Sequence, residues 1–399
     1  MPTPERPVIR LRPKVPLKRI AGGFPWIYAD WLVRDRRTKA LAPGTLAVLE
    51  TAERAPLGLY AVTPEARLAA RRLDADPAAR IDTEWFAARI GQALGWRARV
   101  FDAPFYRLVH GEADDLSGII VDRFGDVLAV QPNAAWAEAH LEALTEALVR
   151  VTGAGVVVKN AAGRGRALEG LDDRTLVVRG TLDGPVEVAM NGATYLADLL
   201  GGQKTGFYYD QRLNHAFAAG LARGARVLDL FTHTGGFALA ALAAGAGGAL
   251  AVDSSAPALE LARAGAARMG LAGRLETRRG DVIGVLRELA EAEAQFDMVI
   301  SDPPAFAPGR AVRDKGLAAY RRLARDAAGR VVPGGVLVLC SCSHAADLAA
   351  FHAASTAGIA AARRQAQLVH TGFAGPDHPV PTELPEQGYL KALFFRISR

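Results

Sequence analysis

Apolar and polar positions change rhythm along this chain. Its first stretch carries short runs of strand character, Val8-Ile9-Arg10-Leu11, Leu46-Ala47-Val48-Leu49 and Gly58-Leu59-Tyr60-Ala61-Val62, punctuated by glycine and proline. That pattern predicts a small β domain. A linker around 74–82 precedes a helix predicted from Thr83 to Ala98. The segment FYRLVHGEADDLSGIIVDRFGD reads as two strands around a polar turn. A helix from Ala134 to Val151 and a strand at Val156–Lys159 complete an α+β module ending near Gly180. From about Pro185, apolar strands (Arg226–Phe231, Gly248–Val252, Phe296–Ile300, Gly335–Cys340) alternate with helical stretches, the pattern of a parallel α/β sheet. The domains expected are 1–74, 75–184 and 185–399.

The segment from Arg226 to Asp253, RVLDLFTHTGGFALAALAAGAGGALAVD, is the most informative. Gly235 and Gly236 allow a tight turn and a close backbone approach to a ligand. The helix opening behind them offers free N–H groups to a carboxylate. Asp253, at the tip of the next strand, can hold two ribose hydroxyls. Alone, this describes a nucleotide-like cofactor on a doubly wound sheet, since glycine loops occur in several enzyme classes. SDPPAF at Ser301–Phe306 and CSCSH at Cys340–His344 follow, each after a strand-like run, and that order points to methyl transfer. The long charge-free run is no membrane span, because a bilayer helix explains neither flanking aspartate, Asp229 or Asp253.

Composition narrows the class. With 399 residues, half of them hydrophobic and 23% charged, the chain is globular and too long for one ordinary core. Its net charge of +6 favours a polyanionic partner, although an arginine-rich, solvated surface gives the same figure. Basic residues cluster early: Arg6, Arg10, Arg12, Lys14, Lys18 and Arg19, then Arg34, Arg36, Arg37 and Lys39, with Phe24, Trp26, Tyr28 and Trp31 between. Cations interleaved with aromatics suit RNA, while several of the aromatics are expected in a barrel core. The two cysteines, Cys340 and Cys342, suit a reducing cytoplasm, and the proline-interrupted N-terminus is no signal peptide. His110, Glu112 and Asp122 suggest a site, with turn chemistry as the commoner explanation.

The chain resembles the bacterial large-subunit ribosomal RNA cytosine-5 methyltransferases of the methyltransferase I type. The resemblance is carried by GFPWIY at Gly23–Tyr28, RLVHGEADDLSGIIVDRFGD at Arg107–Asp126, QKTGFYYDQR at Gln203–Arg212, VLDLFTHTGGFAL, SDPPAF, CSCSH and PDHP at Pro376–Pro379, and spans nearly the whole chain. It implies a PUA-like β-barrel that binds RNA, a small α+β middle domain and a class I domain dependent on S-adenosyl-L-methionine (SAM). Ala305 replaces a frequent lysine and His233 a frequent tyrosine. The implied substrate is large-subunit (23S) ribosomal RNA; the resemblance also allows a homodimer.

The implied product, 5-methylcytosine, explains the residue types. Carbon 5 of cytosine is a poor nucleophile until a thiolate adds to carbon 6, whereupon it can attack a sulfonium methyl group. By resemblance the thiolate is Cys342, with Cys340 left to the strand, although a cysteine after an apolar strand is commonly a buried structural thiol. Asp302 can contact the polar edge of the base, with capping of its own loop as the alternative. Phe306 is expected to stack on the base. For the cofactor, Asp253 is expected at the ribose and Asp281 at the adenine amino group. Asp229, Thr232, Thr234, Gly235 and Gly236 are expected at the methionine part. Asp302, Lys204, Thr205, Phe207 and Arg212 are assigned to the same pocket, and Arg10, Arg12, Lys14, Lys18 and Arg19 to RNA. A metal site from Cys340, Cys342, His344 and His352 lacks a usual zinc spacing. The rivals are an RNA N-methyltransferase gripping an exocyclic amine with the DPPAF loop, an NAD oxidoreductase and a catalytically dead RNA-binding protein. The oxidoreductase lacks its glycine fingerprint, because Phe237 follows Gly236.

Overall fold

A computed structural model describes residues 6–163, 165–202 and 206–398, and divides the chain into two compact units. One comprises Met1–Gly184 with Asp198–Gly206 and Pro376–Pro385; the other comprises Pro185–Ala197, Phe207–Gly375 and Glu386–Arg399.

The first unit holds two five-stranded sheets. The N-terminal sheet orders its strands Val8–Arg10, Thr45–Glu50, Pro56–Val62, Leu68–Asp74 and Trp26–Tyr28. Alternation in Thr45–Glu50 puts Ala47 and Leu49 inward, beside Ile9, Leu11, Ile27, Tyr60 and Val62. The second sheet runs Leu176–Arg179, Val156–Lys159, Val127–Pro132, Ile119–Phe124 and Phe105–His110. Across it pack helices Thr83–Arg97 and Leu141–Thr152. The first of these begins where the Asp82 carboxylate accepts the Trp85 N–H at 3.0 Å.

The single helix predicted over Ala134–Val151 is two, Ala135–Ala139 and Leu141–Thr152. His140 leaves helical geometry at φ −110°, ψ 19°, and its ring Nδ1 lies 2.7 Å from the Trp136 carbonyl. Polar bridges join the two sheets. Arg71 spans Glu112 and Glu169, both at 3.4 Å, while Thr63 Oγ1 donates to Glu169 at 2.5 Å and Trp26 Nε1 to Glu112 at 2.9 Å.

The second unit is built on a seven-stranded sheet. Its strands are β1 (Arg226–Leu230), β2 (Gly248–Asp253), β3 (Leu275–Arg279), β4 (Phe296–Ser301), β5 (Val331–Ser341), β6 (Ala366–Gly372) and β7 (Lys391–Ile397). They lie in the order β3-β2-β1-β4-β5-β7-β6. The first five pair in parallel, and β7 enters antiparallel between β5 and β6. The interleaved helices are α1 (Arg212–Gly220), α2 (Gly236–Ala243), α3 (Ala256–Arg268), α4 (Val282–Glu291), α5 (Arg313–Ala328) and α6 (Leu348–Ala361). Near-continuous apolar strands fit a sheet covered on both faces. Leu228, Leu230, Val252, Val299, Leu337 and Leu393 are all in its core.

β1 stops at Leu230 rather than at the predicted Phe231, because Phe231 (φ 62°) and His233 (φ 52°) adopt left-handed backbone. Strand order reverses between β1 and β4, so a crevice is expected beyond the carboxyl ends of those two strands. No helix among the described residues is long and apolar enough to cross a membrane.

Candidate active site at the carboxyl edge of the sheet

The glycine loop lies at that switch point. Gly235 has φ +88°, and a Cβ there would meet Leu239 Cγ at 2.8 Å and Ala262 at 3.2 Å. A Cβ on Gly236 would sit 2.8 Å from the His215 ring. The loop can therefore hold only glycine at these two points, with the first turn of α2 behind it. Thr232 and Thr234 are buried beside it.

Asp229 is the unusual group. It is fully buried, and its Oδ2 accepts both the Thr232 hydroxyl at 2.5 Å and the Ala238 N–H at 2.9 Å. Its Oδ1 has no protein partner. Burial, helped by the nearby charge of Asp253, pushes its carboxyl up to about 7. An orphaned buried carboxylate oxygen is costly unless a ligand donor meets it.

Asp253 ends β2, as predicted. Its oxygens accept the His233 and Ser255 N–H groups, each at 2.9 Å, and each keeps a further acceptor position. Asp281 is exposed and caps α4, accepting the Gly284 N–H at 3.0 Å. Phe207 is buried, 5.3 Å from the Tyr195 ring and 5.2 Å from Tyr209. Arg212 opens α1, its guanidinium 5.6 Å from the Tyr209 ring centre. Lys204 and Thr205 lie outside the described residues.

Asp302 and Cys342 each stand one residue beyond a neighbouring strand, β4 and β5, and both are partly exposed. The Asp302 N–H donates to the Leu230 carbonyl at 3.3 Å, which ties its loop to the end of β1. Tyr208 shows that these groups converge. Burial raises its hydroxyl, and the charges of Asp210, Asp302, Cys342 and Asp253 raise it further. Cys340 is a buried core group within β5, and that burial pushes its thiol well up, whereas Cys342 reaches the edge. Phe306 packs on Tyr320, rings 4.9 Å apart, so part of its surface is already occupied by protein. Of the two departures, His233 packs on Tyr208 at 5.0 Å and Ala305 is exposed in the loop.

The region from residue 106 to 396 matches the model of the S-adenosylmethionine-dependent methyltransferases. The chain belongs to this family. Residues 9–75 match a PUA-like domain, which accounts for the N-terminal sheet. A relative from Deinococcus radiodurans named ribosomal RNA large subunit methyltransferase is 33% identical, over 100% of this chain and 99% of its own length. A Shewanella denitrificans protein named ribosomal RNA large subunit methyltransferase I is 32% identical, with 94% and 95% covered. SMU.776, assigned as a methyltransferase and solved with SAH, shares the fold at a TM-score of 0.81 and 18% identity, with 98% and 99% covered.

As a SAM-dependent methyltransferase, the chain needs a place for a cationic amino-acid nucleoside, and its residues fit one. The orphaned Asp229 oxygen suits an ammonium, the Gly235–Gly236 cradle leaves space where a Cβ would intrude, and Asp253 suits paired hydroxyls. Bound there, SAM supplies an electrophilic methyl group on a sulfonium.

In the first unit the five basic residues expected at RNA divide. Arg10 pairs with Glu50 at 3.1 Å, Arg12 Nε donates to the Leu32 carbonyl at 2.8 Å, and Arg19 donates to the Glu383 carbonyl while lying over Phe24. Lys14 and Lys18 are exposed and make no side-chain hydrogen bond among the described residues. Phe24 is core, as expected of some of the aromatics. Sequence reasoning did not single out Tyr208, Tyr320 or Lys391. Tyr208 lies inside QKTGFYYDQR, so its motif could have pointed to it. The other two belong to no motif, although Lys391 is a charge heading an apolar run, which is a signal in itself.

Proposed function

We propose that this methyltransferase forms 5-methylcytosine in large-subunit (23S) ribosomal RNA through a covalent adduct between Cys342 and carbon 6 of the target ring. The reading is carried by one observation: Cys342 and Asp302 each stand one residue beyond adjacent, paired strands at one edge of the sheet. The names of the full-length relatives support the RNA class.

In this reading Cys342 Sγ adds to carbon 6, and the ring's electron density moves to carbon 5. Asp302 holds the polar edge of the base and favours the protonated ring nitrogen of the adduct. Once carbon 5 carries its methyl group, it loses its proton to a base, the carbon 5–carbon 6 double bond re-forms and Cys342 leaves as thiolate.

Asp229 receives the ammonium of SAM, and Thr232, Thr234, Gly235 and Gly236 line its methionine part. Asp253 takes the ribose and Asp281 the adenine amino group; Phe207 and Arg212 belong to the same site, and the resemblance assigns Lys204 and Thr205 to cofactor binding as well. Residues 1–74 bind RNA, Lys14 and Lys18 meeting phosphates beside Arg10, Arg12 and Arg19. Residues 75–184 form the middle domain and 185–399 the catalytic one. The target cytosine is flipped out to reach the edge, with Phe306 against it.

Incubation with ribosomal RNA and SAM followed by nucleoside mass spectrometry should give 5-methylcytosine. Transcripts bearing 5-fluorocytosine should become trapped on the wild type and not on Cys342→Ser. Methylation retained by Cys342→Ser would overturn the covalent scheme in favour of N-methylation.

A further inference from the structure

Behind Cys342 lies a polar cluster that the scheme above does not use. Ser341 and Ser343 flank the cysteine and are fully buried. One phenol serves both: the Ser341 hydroxyl donates to Tyr320 Oη at 3.0 Å, and Tyr320 Oη lies 2.8 Å from Ser343 Oγ. The same two oxygens receive the SDPPAF loop, because the Phe306 N–H donates to Tyr320 Oη at 3.4 Å and the Ala307 N–H to Ser343 Oγ at 3.0 Å. The loop carrying Asp302 is thus fastened to the turn carrying Cys342 through a side chain of α5.

Lys391 closes the cluster from the other side. It heads β7 opposite Ser341, is 5% exposed, and donates to the carbonyls of Ser343 at 2.8 Å and Ala346 at 2.7 Å. No carboxylate lies within ion-pair distance of it among the described residues. A buried ammonium without a counter-ion is expensive, and two neutral carbonyls meet that cost only in part. A neighbouring group that becomes an anion in the catalytic cycle would meet the rest.

We propose that Lys391 and Tyr320 are positioning residues for the nucleophile. Tyr320 sets Cys342 against the Asp302 loop, and Lys391 supplies the buried positive charge that favours the Cys342 thiolate over the thiol. The inference rests on the covalent reading above. Burial lowers the Lys391 ammonium while charge at Cys342 and Asp347 raises it, so the lysine and the thiolate support each other.

Among the described residues, the titratable groups near Cys342 include Tyr208 from the segment before α1, Asp302 beyond β4, Cys340 in its own strand, Tyr320 on α5 and Lys391 on β7, and Asp347 bears on Lys391 in turn. Asp302 opposes a thiolate and Lys391 favours it, as a neighbouring lysine does for reactive cysteines generally. The thiol proton passes to water, and the sulfur lone pair then forms the bond to carbon 6.

Alkylation of Cys342 by iodoacetamide, followed by peptide mass on the full chain between about pH 5.5 and 10, reads the thiolate without RNA or SAM. The wild-type midpoint should lie below the ordinary thiol value of about 8.5. In Lys391→Met it should rise by about one pH unit, making alkylation at neutral pH roughly tenfold slower. Tyr320→Phe should keep the midpoint but lower kcat at an unchanged KM for RNA.

An unchanged midpoint in a Lys391→Met chain that still binds SAH overturns the charge role, and an unaltered kcat in Tyr320→Phe overturns the positioning role. If Lys391→Met no longer binds SAH, Lys391→Arg decides: a low midpoint supports the proposal and one near 8.5 overturns it. Should Cys342→Ser still methylate RNA, the covalent reading fails while these midpoints stand as measured, so the two failures are distinguishable.

Discussion

Replacing Asp229 by asparagine should stabilise the ligand-free protein above neutral pH while crippling cofactor binding. The carboxyl is fully buried and titrates at about 7 in the fold against an ordinary 3.8. Between those values the folded state holds a proton that the unfolded chain has lost, so stability falls as pH rises through the window. Above pH 7 the displacement corresponds to about 4 kcal/mol.

Asparagine never ionises and escapes that penalty. Its side-chain oxygen can still accept from Thr232 and Ala238, but its NH2 would sit where Oδ1 has no partner. Such an unsatisfied group costs about 1–3 kcal/mol. The balance is a gain of about 1–3 kcal/mol at pH 8, or roughly 2–4 °C in Tm for each kcal/mol in a unit of this size. At pH 4, where the wild-type carboxyl is neutral in the fold, the gain should vanish or reverse.

Saturating SAM or SAH should shrink or reverse the variant's advantage at pH 8. A buried carboxylate meeting an ammonium is worth about 2 kcal/mol or more, so the variant should bind roughly thirtyfold more weakly. Thermal melts at pH 4 and 8, with and without SAH, test all of this. A variant that melts below the wild type at both pH values, or is stabilised by SAH equally, would refute the assignment of an orphaned, ligand-seeking carboxylate.

Other outcomes are expected together. Gly235→Ala forces a side chain onto φ +88° and into Leu239; we expect about 1–3 kcal/mol of destabilisation and lost SAM binding, read by calorimetry. His215 is buried and its imidazole is pushed down to about 3, chiefly by burial. The unfolded chain therefore takes up a proton that the fold refuses between pH 6.5 and 3, stability falls on acidification through that window, and His215→Phe should shift acid unfolding to lower pH. Arg97 is fully buried, pairs with Asp114 and donates to the Asp377 carbonyl at 3.1 Å; Arg97→Met should cost about 3–5 kcal/mol and speed hydrogen exchange at 376–385. Binding to ribosomal RNA should weaken steeply with salt, and Lys14→Glu with Lys18→Glu should flatten that slope by about two. An unchanged slope would remove those lysines from the phosphate contacts.

Much of the geometry at the carboxyl edge of the sheet was legible beforehand because its signals are local. A glycine pair after an apolar strand, an acid at the tip of the next, and Asp302 and Cys342 each just past a strand are short-range facts, set by what one turn or strand end demands of its own residues. Helix 83–97 was equally local, fixed by the Asp82 cap. His140 escaped notice because its break depends on a ring bonding back to Trp136, which no periodicity reveals.

Tertiary structure alone decided how groups distant in the chain combine. Lys391 reaches the turn after Cys342 only because β7 enters antiparallel in the register that sets it opposite Ser341. Tyr320 joins two loops only because α5 packs beneath both, and PDHP meets Arg97 across 280 residues of chain. The free energies of Asp229 and Lys391 likewise arise from burial, and burial belongs to the assembled core. A residue's type and its neighbours in sequence determine what it can do; the depth and company that decide whether it ionises are set when the chain closes around it.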